Sequence, residues 1–454
     1  MASPNGCWKS VWTVDNGTIQ FTANMGISAI VLIGAYILVF TEACHRTNAA
    51  VIGAVVMVGI GTWHGFYTQE QAVQAIDANT MFLLTGMMIL VAIIKPTGGF
   101  EYVAIRVAKT AARSPRRLLV NLTLAVSLTS MLLDNVTTVI IFAPLTVLIC
   151  RLLKLTPLPY LMAEAITSNI GGIATLVGDP PNIMIGSAAG IDFNRFLVHM
   201  LPIVTVIWVG TALLLLWQFR KQLVPPPGFT GRIDLDENKA INDPKTLKRS
   251  LLALGTVIAL FLVHHYLHFY PAYVTFIGVA LAFTLIRPDP NVFLAELEWP
   301  VLLFFAALFI IVGGVQNSGL LEYIGQGLAG FAGDPHKLLI TCLILMWAAG
   351  LLSAVLDNIP FTITMIPIVL DLEHSGVNVT PLWWALALGV GLGGNGSHIG
   401  ATANVICVAE SEKCDIDGAR ISPAIWLRKG LPVMLAGLTM ASVLFTVFFG
   451  FFSR

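Results

Sequence analysis

Residues 168–185 set the tightest limit on what this chain can become. They read Ser168-Asn-Ile-Gly-Gly-Ile-Ala-Thr-Leu-Val-Gly-Asp-Pro-Pro-Asn-Ile-Met-Ile185 and lie between apolar flanks. Gly171, Gly172 and Gly178 loosen the backbone, while Pro180 and Pro181 remove two amide donors and clash with the preceding turn. Asp179 places a charge at a depth where a charge costs about 2.5–3.5 kcal/mol. Unwound backbone at that depth is tolerated only where it is buried in protein or lines a water-filled cavity. The stretch is therefore a candidate binding site.

The apolar flanks imply a membrane because they are not isolated. The 454-residue chain is 56% hydrophobic and only 11% charged, and several apolar runs exceed the ~18 residues that suggest a span. Residues 1–23 are polar and lack the apolar core of a signal peptide, so the first hydrophobic segment is expected to remain in the mature protein. The six cysteines form no C-x-x-C pair, which argues against a zinc or disulfide framework. No Gly-x4-Gly-Lys-Ser/Thr loop is present, so any energy input is expected from an ion gradient or from a separate ATPase subunit. No cofactor and no nucleic-acid partner are expected.

Hydropathy predicts full spans near 24–42, 49–66, 79–95, 159–190 and 197–219, then near 250–268, 271–287, 300–317, 380–409 and 430–450. The polar segment 220–249, with Pro225-Pro226-Pro227, reads as a linker. It divides the chain into an N-terminal segment (1–23), a first membrane repeat (24–219), the linker, and a second repeat (250–454). Each repeat also holds a long apolar stretch interrupted by an Asp-Asn pair, at 117–153 and 337–371. The halves superpose at near-constant offsets. Asp134-Asn135 and Pro144 match Asp357-Asn358 and Pro367 at an offset of 223, and Gly171-Gly172, Gly178 and Asn182 match Gly393-Gly394, Gly400 and Asn404 at 222. Paired interrupted segments in two halves are the best sequence pointer to a transporter binding site.

Charge fixes the expected topology. With five crossings per repeat, each Asp-Asn stretch entering and leaving on one side, and the basic linker in the cytoplasm, only Lys9, Arg195, Lys337 and Arg454 of the 25 basic residues fall outside. Two full spans in place of either hairpin would split the basic clusters between the two sides. The predicted fold is therefore an all-α polytopic membrane protein built from two inverted repeats of five crossings, each with one re-entrant hairpin and one broken helix. Both termini are expected outside the cell membrane. Four amphipathic stretches, 97–112, 191–199, 318–332 and 420–429, are expected to lie in the interface.

Chemistry concentrates at the breaks. Asp134, Asn135, Thr137 and Thr138 offer a carboxylate, an amide and two hydroxyls at the first hairpin tip, where free amides of a helix N-terminus are also available. The second tip repeats Asp357-Asn358 but replaces the threonine pair with Pro360-Phe361, so the half-sites are not equivalent. Gly393-Gly394-Asn395-Gly-Ser397-His398 through Thr402 and Asn404 is the partner of the opening stretch, with Ala401 where the first half has Asp179. The first half thus carries the charge, and the second supplies neutral hydrogen-bonding groups. A buried Asp179 can exchange a proton for a cation. His398, the one histidine in either motif, is a candidate for a proton role, and Glu164 is a further candidate.

These same residues carry a family resemblance. Leu132-Leu-Asp-Asn-Val-Thr-Thr-Val139, together with Ser168-Asn-Ile-Gly-Gly through Gly178-Asp-Pro-Pro-Asn182, resembles the ion transporter superfamily, in the branch of arsenite permeases (arsenical pump membrane proteins), melanosomal P-proteins and sodium/proton antiporters. The resemblance spans essentially the whole chain. It implies an often dimeric transporter that moves as an elevator. By motif match it places the site at Asp134, Asn135, Asn169, Gly178, Asp179, Asn182, Asp357, Asn358, Gly393, Gly394 and Asn404. It also implies export of arsenite or antimonite in exchange for protons, with sodium/proton antiport or organic-anion transport as alternatives. No three cysteines are grouped, which disfavours capture of arsenic by thiolates, and no arginine cluster marks a tricarboxylate pocket. An intramembrane aspartyl protease is disfavoured because its Gly-x-Gly-Asp and Pro-Ala-Leu signals are absent.

Overall fold

The computed structural model describes residues 20–40, 44–227, 229, 231–233, 236–332, 337–355, 357–416 and 418–454. Most of the N-terminal segment (1–19) and Leu356 of the second hairpin lie outside the described residues. Among those described there is no strand.

The helix starts follow from local chemistry. Asp77, Asp134, Asp192, Asp243 and Asp289 each precede a helix and accept its first free backbone N–H groups, where a carboxylate also meets the favourable end of the helix dipole. Many other helices begin with proline in the first turn, where no donor is lost.

The order of elements repeats. Helices Ala23–Phe40, Arg46–His64, Gln69–Gln74 and Ala78–Ile94 are followed by Gly99–Ala111, the hairpin Pro115–Ser130 and Asn135–Leu153, the broken pair Leu158–Ile173 and Pro180–Ala189, and Phe193–Gln218. After the linker the same series runs from Pro244–Val263 through Pro290–Ala295 and Trp299–Asn317 to the hairpin Leu338–Ser353 and Asn358–His374, the broken pair Thr380–Gly393 and Thr402–Lys413, and Pro423–Val447. Even the six-residue helices Gln69–Gln74 and Pro290–Ala295, not expected from hydropathy, correspond. Packing repeats too. Helix 46–64 lies on 299–317 as 78–94 lies on 271–286, and hairpin helix 135–153 meets 402–413 as 358–374 meets 180–189. The halves are therefore interleaved, each hairpin closing on the other half's broken helix.

Among the described residues seven helices are long and apolar enough to cross a membrane, among them 135–153, and four shorter ones are apolar. Two of the four amphipathic stretches form separate helices, Gly99–Ala111 and Leu320–Ala332. The other two differ from expectation. Residues 191–199 and 420–429 run into the long helices Phe193–Gln218 and Pro423–Val447, because Asp192 and Ser422 cap each helix at its outset and only Pro202 and Pro432 mark the change of character within.

Candidate functional site

The first break is a six-residue gap, 174–179, between helices of 16 and 10 residues. Glycine is required there by close approach. A Cβ on Gly178 would lie 2.6 Å from the Gly172 carbonyl oxygen and 2.7 Å from that of Ser130, and one on Gly171 would lie 2.5 Å from the Ser127 oxygen. Asn182 then closes the gap, its amide donating to the Gly172 and Thr175 carbonyls, both at 2.9 Å. The second break is built the same way: Asn404 donates to Gly394 at 2.7 Å and to Ser397 at 2.8 Å. Backbone angles at the capping positions coincide, φ −147° and ψ 134° at Asp179 against φ −150° and ψ 145° at Ala401. Asn182 and Asn404 thus hold unwound backbone in shape, satisfying carbonyls that lost their helical donors.

Each hairpin tip ends at these breaks. Serines at matching positions pin them: Ser130 Oγ donates to the Ser168 carbonyl at 2.7 Å and Ser353 Oγ to that of Val390 at 2.9 Å. Thr175 Oγ1 also donates to the carbonyl of Met131 in the tip. Between the tips lies Asp179, only 3% exposed. Its Oδ1 faces the Asn135 amide at 3.5 Å and its Oδ2 the Asn358 amide at 3.4 Å. One carboxylate is therefore shared by the two halves. Behind it, Asn135 donates to Asn169 Oδ1 at 3.1 Å, and Asn169 donates to Asn395 Oδ1 and Asn404 Oδ1, both at 3.0 Å. Trp426 donates to the Asn395 carbonyl at 3.1 Å. The result is a buried amide chain crossing from one break to the other.

A cavity of about 40 Å³ opens beside Asp179, lined by Asp134, Asp357, Glu298, Arg46 and Thr402 among others. Four carboxylates and one cation thus converge on this small space. Arg46 Nη1 donates to Asp357 Oδ2 at 2.9 Å and to Thr402 Oγ1 at 2.7 Å. The inequality of the tips has a direct cause here. Asp134 Oδ2 accepts the Thr137 hydroxyl at 2.6 Å, whereas Asp357 has Pro360 at the matching position and takes Arg46 instead.

The structure gathers Asp134, Asn135, Asn169, Asp179, Asp357, Asn358, Asn395, Thr402 and Asn404 around this cavity and its amide chain. Gly171, Gly172, Gly178, Gly393 and Gly394 form the surrounding backbone. Other expected side chains sit apart. The hydroxyls of Thr137 and Thr138 are taken up by the Asp134 carboxylate and carbonyl and face no cavity, because the helix start consumes them. His398 is half-buried on the second break, off the cavity lining. The Ser397 hydroxyl is buried without a partner among the described residues. Glu164 is buried in helix 158–173 against Thr146 at 2.5 Å, away from the cavity. Sequence reasoning missed Arg46, which reads as a loop cation. Its signal is its place at the first position of a helix, where a cation opposes the dipole. It also missed Ser130 and Ser353, which the 223-residue offset would have paired, and Glu298.

Paired helix breaks around buried polar groups, in a chain whose described residues are all-helical and include seven apolar helices of spanning length, define a membrane transporter. The model of the citrate transporter family (CitMHS) matches residues 36–389, and the chain belongs to that family, within the ion transporter superfamily. It is 37% identical over 426 residues to an uncharacterised transporter of Mycobacterium tuberculosis, covering 92% of this chain and 98% of that protein. It is 31% identical to the human P protein, over 91% of this chain and 59% of that one. Among solved structures, the YdaH transporter of Alcanivorax borkumensis shares the fold, with a TM-score of 0.57 at 13% identity, covering 95% of this chain and 99% of that one.

Proposed function

We propose that this transporter is a secondary antiporter in which Asp179 is the coupling carboxylate and the cargo is a small inorganic species, arsenite or antimonite, exported against protons. The observation that carries the coupling role is the placement of Asp179, buried and facing one amide from each hairpin tip. A bare carboxylate there is costly, so a bound proton or cation neutralises it. Exchange of one neutralising ion for another at this point alters both tips together, which links ion occupancy to an elevator-type movement of the hairpins and broken helices against the remaining helices. The inverted arrangement of the repeats follows from the odd number of crossings assigned to each.

For the cargo, the support is chemical. Uncharged trihydroxy-arsenic suits amide and hydroxyl groups such as Asn135, Asn358 and Thr402. A tricarboxylate would need several basic groups, and the cavity offers Arg46 alone, already paired with Asp357. A second reading, sodium/proton antiport, is favoured by the excess of carboxylates around the cavity.

Purified protein in vesicles with an imposed pH gradient separates the two. Radiolabelled arsenite that accumulates with the gradient, and proton flux that follows arsenite, supports the first. Proton release driven by sodium, with arsenite ignored, overturns it in favour of the second.

A further inference from the structure

Away from the site, a groove of about 480 Å³ runs between helix 99–111, hairpin helix 115–130 and helix 244–263. Its walls are apolar save for Asn121 and Thr129. On helix 115–130 and the turn that follows it, the lining residues Asn121, Leu124, Leu128 and Leu132 recur every three or four positions and so form a single stripe; Leu124, Leu128 and Leu132 are exposed. From Asn121 to Leu132 the stripe is about 16 Å long at 1.5 Å per residue, close to half of a ~30 Å hydrocarbon core. One turn before Asn121, on the same face, stands Arg117, with Arg113 and Arg116 beside it. All three are exposed. They make no ion pair among the described residues, whereas the neighbouring Arg106 and Lys109 are both committed to Glu237.

We propose that this groove seats one acyl chain of an anionic phospholipid, with its phosphate held by Arg117 and its neighbours. The apolar depth matches a single leaflet, the volume lies within the ~300–1,000 Å³ of small-molecule sites, and the charge at the mouth fits a phosphodiester. The groove ends on Leu132 and Leu133, directly before Asp134, while Leu251 and Leu254 of its far wall belong to the second half. A bound lipid therefore bridges the first hairpin to helix 244–263.

Native mass spectrometry of the full-length protein, purified with dioleoylphosphatidylglycerol or dioleoylphosphatidylcholine, tests this and reads oligomeric state at the same time. The expected result is retention of phosphatidylglycerol at least ten-fold over phosphatidylcholine. That preference should be lost in the combined Arg113→Gln, Arg116→Gln, Arg117→Gln variant, and phosphatidylglycerol itself should be lost in Leu128→Trp, which fills the groove and leaves the arginines. Equal retention of both lipids refutes the headgroup assignment. Phosphatidylglycerol retained by Leu128→Trp refutes the groove as its seat, and so does a Leu128→Trp variant that changes oligomeric state without losing lipid. Helix content by circular dichroism checks that each variant is folded. Should Leu128→Trp fail to fold, Leu124→Phe replaces it with the same expected loss.

Discussion

Replacing Asp179 with asparagine separates the coupling role from the structural one. In the native site each carboxylate oxygen faces an amide donor, Asn135 on one side and Asn358 on the other. Asparagine offers one oxygen and one amide, so one tip keeps an acceptor while the other meets a donor. An unsatisfied buried donor costs about 1–3 kcal/mol, but asparagine is neutral without a bound proton or cation and so avoids the cost of a bare carboxylate whenever that ion is absent. The net expectation is a fold as stable as the native one or more so. Function should move the other way. One exchanged charge is worth about 2.3 kcal/mol per 100 mV, which is about fifty-fold in accumulation at 1.4 kcal/mol per decade. In vesicles with matched protein content, Asp179→Asn should lose this concentrative factor for whichever cargo the native protein moves, while its melting temperature is unchanged or raised. A folded variant that still accumulates cargo in proportion to the gradient refutes Asp179 as the coupling group.

Other perturbations probe the frame around it. Arg46→Gln removes the partner of Asp357, whose side chain is 15% exposed against 29% for Arg46; discounted for that exposure, destabilisation of about 1–3 kcal/mol is expected in thermal melts, with weakened cargo binding. Gly178→Ala forces a Cβ between two backbone oxygens and should cost about 1–3 kcal/mol or more, whereas Gly190→Ala, in open space at φ +63°, should cost about 1 kcal/mol; equal melting shifts would contradict the close approach. At the linker, a hydrogen bond from Lys109, helped by one from the segment's own backbone and last by Arg106, holds the Glu237 carboxyl down to about 2, from an ordinary 4.5. A depressed acid stabilises the folded state above its ordinary value, so docking of residues 237–240 on helix 99–111 should persist above pH 4.5 and be lost as pH falls toward 2. Hydrogen exchange of that segment at pH 3 and 6 measures it.

The outline of the fold was legible because the interruptions carry strong local signals. Glycine pairs mark both breaks and Asp-Asn caps both tips, so the duplication doubles those signals, and a proline pair adds a third at the first break alone. Side-chain roles were less legible. Thr137 and Thr138 have the composition of a binding site, yet their hydroxyls complete a helix start, which spacing alone does not distinguish from an open pocket. Arg46 is invisible for the opposite reason. It lies more than 300 residues from Asp357, and only the interleaving of the halves brings the two together. The fates of 191–199 and 420–429 turned on single caps, Asp192 and Ser422, which let each stretch run straight into a long helix.

The duplicated frame also explains how an asymmetric site arises. Both breaks share one backbone path and one closing asparagine, so the scaffold imposes no difference between them. The difference comes from substitutions on and around that path, among them Asp179 against Ala401, Thr137 against Pro360, and Arg46 at a helix start whose counterpart begins at Pro271. Together they set a carboxylate at one break and a guanidinium at the other, with the two Asp-Asn tips between. A symmetric pair of carboxylates would face each other across the short amide chain from Asn135 through Asn169 to Asn404, at a Coulombic cost that grows in low dielectric. Arg46 at the second break offsets one carboxylate there, Asp357, and it is on this asymmetry that the proposed coupling role of Asp179 rests.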